Sequence, residues 1–346
     1  MGMAINKVIM KKYFLLGIAT LVLMVSCQKE IPQVPDGYGA KIFVKPTTPY
    51  VSDEAFKKVA YFPAYRAVAD IDTTSLDHLT HVIFSFLKPR ADGVLVLDAS
   101  RESVKTVVDL AKRHKCKIII ALNGDNKIYT TLLSNPTTRT QLVKSIVDYT
   151  IQNQFDGVDM DWEYPNASKG NDITFGLFMQ ELSTELHSWH RSLSMAVTAG
   201  IFAGVIKDGI NQQAIDACDF VNLMAYDGIG TDTNVPGHHS TYAMAKRVLD
   251  IWITDKKLPK KKAVLGVPAY GKTSANVAMG FKDLLALGAL KDADQFTTVG
   301  GATYYYNGMS TIQQKYKLAF EEGNGIMYWE LAQDARGENS LIKSVK

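Results

Sequence analysis

From Lys57 onward, short apolar runs rich in β-branched and aromatic residues alternate with stretches of helical period. The runs are KVAYF (58–62), HVIFSFL (81–87), KIIIAL (117–122), FDGVDMDWE (155–163), LSMAVTA (193–199), DFVNLMAY (219–226), KAVLGVP (262–268) and GIMYWE (325–330). Several are almost continuously apolar, as strands buried on both faces should be, and most gaps between them can hold a crossover helix. In those gaps Ser100 is a candidate N-cap ahead of the stripe Val104, Val107, Val108 and Ala111. Asn135 and Pro136 give a cap and first-turn proline ahead of Leu142, Ile146 and Tyr149. Phe175, Phe178, Leu182, Leu186 and Trp189 form a third stripe, which reads as core rather than ligand platform. Strand then helix, eight times, predicts a single-domain α/β fold, the closed (β/α)8 TIM barrel, over residues 57–346. An open doubly wound sheet is the weaker reading, because the glycine-rich phosphate loop expected of it is absent. In such a barrel the chemistry sits where strands end and the following loops begin.

The first fifty residues follow a different pattern. Lys7, Lys11 and Lys12 precede the apolar run from Tyr13 to Val25, which is short for a membrane span and suited to a signal-peptide core. Ser26 and Cys27 complete MVSC, which resembles the lipobox of bacterial lipoproteins although Met24 stands where leucine is usual. The resemblance implies a signal over residues 1–26, acylation of Cys27, and a membrane connection through the lipid alone. A plain secretory signal cut nearby is the alternative, leaving Cys27 as a stray thiol or removing it. Four prolines and two glycines between Ile31 and Tyr50 predict an extended, flexible tether over residues 27–56. The QKE after Cys27 resembles signals that carry some lipoproteins to the outer face, which implies the cell envelope, and the outer membrane within it.

Composition narrows the function. With 47% hydrophobic residues, 21% charged residues and a net charge of +3, most of the chain is globular, and it lacks the dense basic run that a nucleic-acid partner requires. Cys27, Cys116 and Cys218 lie far apart and match no metal-ligand or disulfide spacing, so Cys116 and Cys218 read as buried thiols. No cofactor motif is present, and the expected state is a monomer.

The fourth run carries the candidate chemistry. Alternate residues of a strand share a face, so Asp159, Asp161 and Glu163 point one way while Val158, Met160 and Trp162 point the other. The apolar set should face the helices, which turns the acids into the barrel. Carboxylates about 6–7 Å apart along a strand in a partly dry site cannot all ionise cheaply, so one should hold a proton. That is the requirement for a general acid, and Glu163, outermost and nearest the strand's C-terminal end, is the candidate to keep it. The competing readings are a solvated acidic strand end, against which the apolar opposite face argues, and a metal cluster. For the latter no companion histidine is well spaced, since His238 and His239 are adjacent in a loop.

DGVDMDWEYP resembles the D-x-x-D-x-D-x-E signature of glycoside hydrolase family 18, the chitinases and their relatives, with Asp156, Asp159, Asp161 and Glu163 in the four acidic places. YFPAY, FSF, MAYD, GVPAYG and MYWELAQD extend the likeness over residues 57–340. The resemblance implies substrate-assisted hydrolysis of β-1,4-linked N-acetylglucosamine oligomers with retention, in which the substrate's acetamido group is the nucleophile. Glu163 would protonate the glycosidic oxygen and then activate water. Asp161 would orient the acetamide and stabilise the oxazolinium-like intermediate, with Asp159 sharing its proton. Tyr226 would bond the acetamide oxygen, Asp227 would support it, Met224 would line the pocket and Trp329 would floor the sugar. Tyr61 and Tyr164 would belong to the sugar-binding wall, with barrel packing the alternative for each, and Asp156 goes with the substrate-binding set.

Two positions depart from the family pattern. Ala121 stands where a serine is common and Asp125 where an aromatic is common, which removes an expected hydroxyl partner of Asp159 and a ring for the leaving-group sugar. Residues 272–324 are too few for a large α+β insertion, with FKDLLALGAL and STIQQKYKLAFEE expected to be helical, and an open groove follows. The partner implied is a GlcNAc-containing oligosaccharide or glycan. Cleavage of N-glycan chitobiose cores, or glycan binding without catalysis, are the other readings, and DWEYP favours the chitinase branch.

Overall fold

The structure is a computed structural model and describes residues 43–345. The signal segment, Cys27 and the tether up to residue 42 lie outside the described residues.

In chain order the strands are β1 (Lys57–Pro63), β2 (His81–Pro89), β3 (Leu95–Leu97), β4 (Lys117–Leu122), β5 (Gly157–Met160), β6 (Ser192–Thr198), β7 (Phe220–Met224), β8 (Ala263–Pro268), β9 (Tyr270–Thr273), β10 (Ala278–Gly280), β11 (Gln295–Thr297), β12 (Thr303–Tyr305) and β13 (Gly325–Trp329). The helices are α1 (Arg101–Arg113), α2 (Asn126–Ser134), α3 (Pro136–Gln152), α4 (Asn171–Ser188), α5 (Val205–Asp208), α6 (Gln212–Ala217), α7 (Tyr242–Asp250), α8 (Phe281–Ala286) and α9 (Met309–Glu322). Strands β1, β2, β4, β5, β6, β7, β8 and β13 pair in parallel in that order, and β13 returns to β1 to close an eight-stranded barrel. These are the eight runs read from the sequence.

The alternation of strand side chains divides the interior in two. Val59, Tyr61, Ile83, Ile119, Ala121, Phe220, Val264 and Met327 pack inside the barrel, while Ala60, Phe62, Phe84, Ile118, Val158 and Met160 pack between sheet and helices. The expected caps are in place: Ser100 accepts from Ser103 N, and Asn135 accepts from Thr137 N and Thr138 N.

Four features differ from expectation. The fourth barrel strand, β5, ends at Met160, so Asp161 and Glu163 stand on the loop beyond it. Between β8 and α9 the chain builds a small antiparallel sheet in the order β10-β9-β12-β11, whose strands of three or four residues are too short to show a period. Helix α8 takes only the first six residues of FKDLLALGAL, because the chain turns at Gly288 with φ +100°, a conformation that favours glycine. Residues 43–56, assigned to the tether, are extended but lie against the barrel near the strands' N-terminal ends. There Tyr50 stacks on His187 at 4.1 Å, His190 Nε2 meets the Thr48 carbonyl at 2.8 Å and Glu54 pairs with Lys261 at 2.6 Å. A ring and several polar groups in this stretch find partners, which offsets the entropy lost in ordering it.

Candidate active site

The inner face of β5 begins with Asp159, which is fully buried. Its carboxylate accepts hydrogen bonds from Tyr61 OH at 2.6 Å, Ser194 Oγ at 2.5 Å and Asn222 Nδ2 at 3.1 Å. Burial drives its pKa up to about 6 against the lowering pull of those three donors. The hydroxyl that Ala121 does not supply therefore comes from Ser194 on β6.

Asp161 is 3% exposed, and its Oδ1 is enclosed without a hydrogen-bond partner. Burial, reinforced by the negative charges of Glu163 and Asp159, holds its carboxyl well above the ordinary range. The walls around Asp161 thus favour the protonated form of its carboxyl. Both residues lie past the end of β5, but Asp161 is still walled in whereas Glu163 stands exposed at the rim. Glu163 nevertheless lines the same cavity of about 470 Å³ as Asp161, and so do Tyr61, Tyr164, Met224, Tyr226, Asp227 and Trp329.

Each neighbour has a definable part. Tyr226 is buried, and burial together with the charges of Asp161 and Asp227 pushes its phenol far up, so it remains a hydrogen-bond donor. Tyr61 lies 1% exposed beneath Trp329, with ring centroids 5.3 Å apart, and its hydroxyl belongs to Asp159. Its hydroxyl supports the acids from below, and the residue also lines the cavity. Trp329 is partly open to the cavity and stacks on Phe86 at 5.9 Å, which leaves a flat indole face for an apolar partner. The Tyr164 phenol hydrogen-bonds Glu163 and is raised by burial first and that carboxylate second.

Asp227, just after β7, has φ +61° and is held from the small sheet by Tyr270 OH at 2.6 Å and Lys272 Nζ at 2.7 Å. Burial works to raise its pKa, but His239, Lys272 and Tyr270 outweigh it and hold the group at about 2. Met224 lines the cavity beside Tyr226.

Asp156 does not join the site. It precedes β5, at the opposite end of the strand, and its Oδ2 accepts from Ile118 N at 2.9 Å, tying β5 to β4. Its place in the acidic signature reflects a strand anchor, since four residues at alternating or longer spacing cannot all reach one strand end. Asp125 caps α2 by accepting from Lys127 N and Ile128 N. Among the described residues, no group of three or more His, Cys, Asp or Glu is placed to hold a metal ion.

Several contributors were not singled out from the sequence. Ser194 and Asn222 are polar positions inside nearly apolar runs, which is itself a signal, because a polar group in a doubly buried strand needs a partner. Asn126 takes Trp162 Nε1 on its Oδ1 at 2.5 Å and donates to the Glu163 carbonyl at 3.0 Å. Tyr270 lies within GVPAYG, one of the runs that carry the family likeness, whereas Lys272 gave no comparable signal. Ile201, Phe202 and Lys207, on the segment after β6, line the cavity across the barrel mouth from Trp329.

Residues 57–334 match the model of a known family, the glycosyl hydrolases family 18. The chain is 26% identical over 254 residues to a chitinase-like effector of Moniliophthora roreri, covering 65% of this chain and 60% of that protein's length. Among solved structures it is similar to a GH18 chitinase from the chitin utilization locus of Flavobacterium johnsoniae, with TM-score 0.72 and 28% identity over 84% of this chain and 93% of that one. It is also similar to a chitinase from Bacteroides thetaiotaomicron, with TM-score 0.71 and 25% identity over 84% of this chain and 95% of that one.

Proposed function

This chain belongs to the glycosyl hydrolases of family 18, and from that premise we propose that it hydrolyses β-1,4-linked N-acetylglucosamine oligomers with retention of anomeric configuration. The observation that carries the reading is the unpaired, buried Oδ1 of Asp161, which lines the same cavity as the exposed Glu163 carboxyl and the Tyr226 phenol. A buried acceptor without a donor is costly, and an acetamido N–H from the substrate supplies one. With that N–H on Asp161 and the acetamide oxygen on Tyr226, the oxygen is turned toward the anomeric carbon. Glu163 protonates the leaving oxygen as the acetamide oxygen closes an oxazolinium ring. The Asp161 proton moves inward to Asp159, so a carboxylate faces the positive ring. Water deprotonated by Glu163 then opens the ring from the face the aglycone left, and the double inversion retains configuration.

The test is hydrolysis of chitooligosaccharides by the purified protein, followed by proton NMR. The β-anomer is expected first, and an initial α-anomer contradicts the mechanism. Glu163→Gln should lower kcat by about a thousandfold, within the range for loss of a general acid, with an unchanged melting temperature. Cleavage confined to a high-mannose glycopeptide would make the chitobiose core the substrate, and binding without cleavage would make the protein a glycan receptor. We also propose anchoring of the exported protein by a lipid on Cys27, which mass spectrometry of the envelope fraction would detect as an acylated N-terminal cysteine.

A further inference from the structure

Helix α9 carries a lysine that contacts nothing in the cavity. Lys315 is fully enclosed, and its ammonium donates to three neutral acceptors, the Ser240 carbonyl at 2.8 Å, Ser240 Oγ at 2.8 Å and Asn307 Oδ1 at 2.6 Å. Burying an ammonium without a carboxylate partner is expensive, and an apolar residue of the same length would fill the space without that cost. What the ammonium adds is three diverging donors. Ser240 Oγ donates its own hydrogen bond to the Ala225 carbonyl at 2.7 Å, and Ser240 N donates to His238 Nδ1 at 3.0 Å. Next to Ser240, the His239 carbonyl accepts from Gly228 N at 2.8 Å, and His239 Nδ1 lies 3.4 Å from Asp227 N. These bonds grip the backbone on both sides of Tyr226 and Asp227.

We propose that Lys315 is a positioning residue for the hydrolase, holding Ser240 so that the 225–228 backbone aims Tyr226 and Asp227 at the substrate's acetamide. The inference rests on the reading of the site as a glycosidase. It sets Lys315 apart from the sugar-binding groups, which it does not touch.

The geometry has a pH consequence. Burial pushes Lys315 down to about 7. The groups facing it are Asp294, on the segment before β11, and His238 and His239 on the loop after β7, with Asp227 and Lys272 facing His239 in turn. Burial, with Lys315 and His239 adding to it, lowers His238 to about 3, so that ring is neutral throughout the working range. Below pH 7 Lys315 offers three donors, and above it one is lost, so kcat should fall as pH rises through about 7. Stability should move the other way. The folded pKa lies below the unfolded one, so the unfolded chain binds more protons between pH 7 and the ordinary lysine range, and the fold gains stability as pH rises across it. A purely structural role would not produce activity and stability of opposite slope.

The experiment uses the full chain and 4-nitrophenyl N,N′-diacetylchitobioside. Lys315→Met should lower kcat about tenfold to a hundredfold at pH 6, the scale of a misaligned reacting group, leave KM within about twofold, and lose the fall in kcat above pH 7. A folded Lys315→Met protein with unaltered kcat and pH profile overturns the proposal. Should that variant fail to fold, Ser240→Ala decides, because it keeps the ammonium and its bonds to the Ser240 carbonyl and Asn307 and removes only the Oγ that links Lys315 to the Ala225 carbonyl. A lowered kcat supports the proposal and a normal one overturns it. If the unaltered protein cleaves nothing, it is the glycosidase reading that fails, and the same comparison is then read in the calorimetric Kd for chitotetraose, which the variants should raise.

Discussion

Asp159 shows how one carboxyl is set by its neighbours. It is buried enough to favour a proton, yet Tyr61, Ser194 and Asn222 all stabilise its charge, and the result is a group poised at about 6. If Asp159 must be ionised to receive the proton of Asp161, kcat/KM should rise with pH through about 6. Tyr61→Phe removes one donor to the charged form, so the acid limb should shift to higher pH and kcat should fall. A pH–rate profile of the variant checks this, and an unmoved limb would show that Asp159 does not control it. The chain's sequence already paired these acids on one face. It could not say which held the proton, because that depends on walls contributed by other strands.

Local elements explain how an exposed Glu163 is kept in place once its strand has ended. Asp125 caps α2, and the next residue, Asn126, binds both the Trp162 indole and the Glu163 carbonyl. Trp162 in turn packs against Tyr129 of α2 and Phe175 of α4 at 5.2 and 5.6 Å. Helix α2 thus acts as a clamp on the loop that carries Glu163, and Asp125 starts that clamp. Asn126→Ala should lower kcat by about tenfold through misplacement of Glu163 while leaving KM nearly unchanged. Asp125→Ala should cost about 1 kcal/mol of stability, measurable by urea denaturation. The barrel strands and the long helices were legible because their apolar patterns extend over four or more residues. The small sheet of β9 to β12 was not, since its strands form by pairing with one another rather than by a local pattern.

Across the whole molecule, barrel closure buries groups at both ends. His81, at the start of β2 and far from the cavity, is buried with its Nδ1 on Thr80 Oγ1 at 2.7 Å. Burial, aided by the charge of Lys57, lowers its pKa from 6.5 to about 4. It is therefore neutral in the fold, and as pH falls below 6.5 the unfolded chain takes up a proton that the fold refuses. Stability from this group declines between pH 6.5 and 4, by about 3 kcal/mol in all. His81→Asn should show a smaller drop in melting temperature than the unaltered protein between pH 7 and pH 4. Asp159 and Asp334, each raised to about 6 by burial, act in the opposite sense but equally in both proteins, so the difference isolates His81.

What the sequence determined by itself was the order of strands and helices and the family likeness that the acids of the fourth run carry. All of these follow from periods and spacings within a few residues. Tertiary structure decided the rest: that Asp156 belongs to the far end of the barrel, that Ser194 replaces the hydroxyl missing at Ala121, that the small sheet grips Asp227, and that burial raises the carboxyl of Asp161 well above the ordinary range. Each of these depends on desolvation or on a partner more than twenty residues away in the chain. Electrostatic free energy is set by what surrounds a charge, and the surroundings exist only once the barrel has closed.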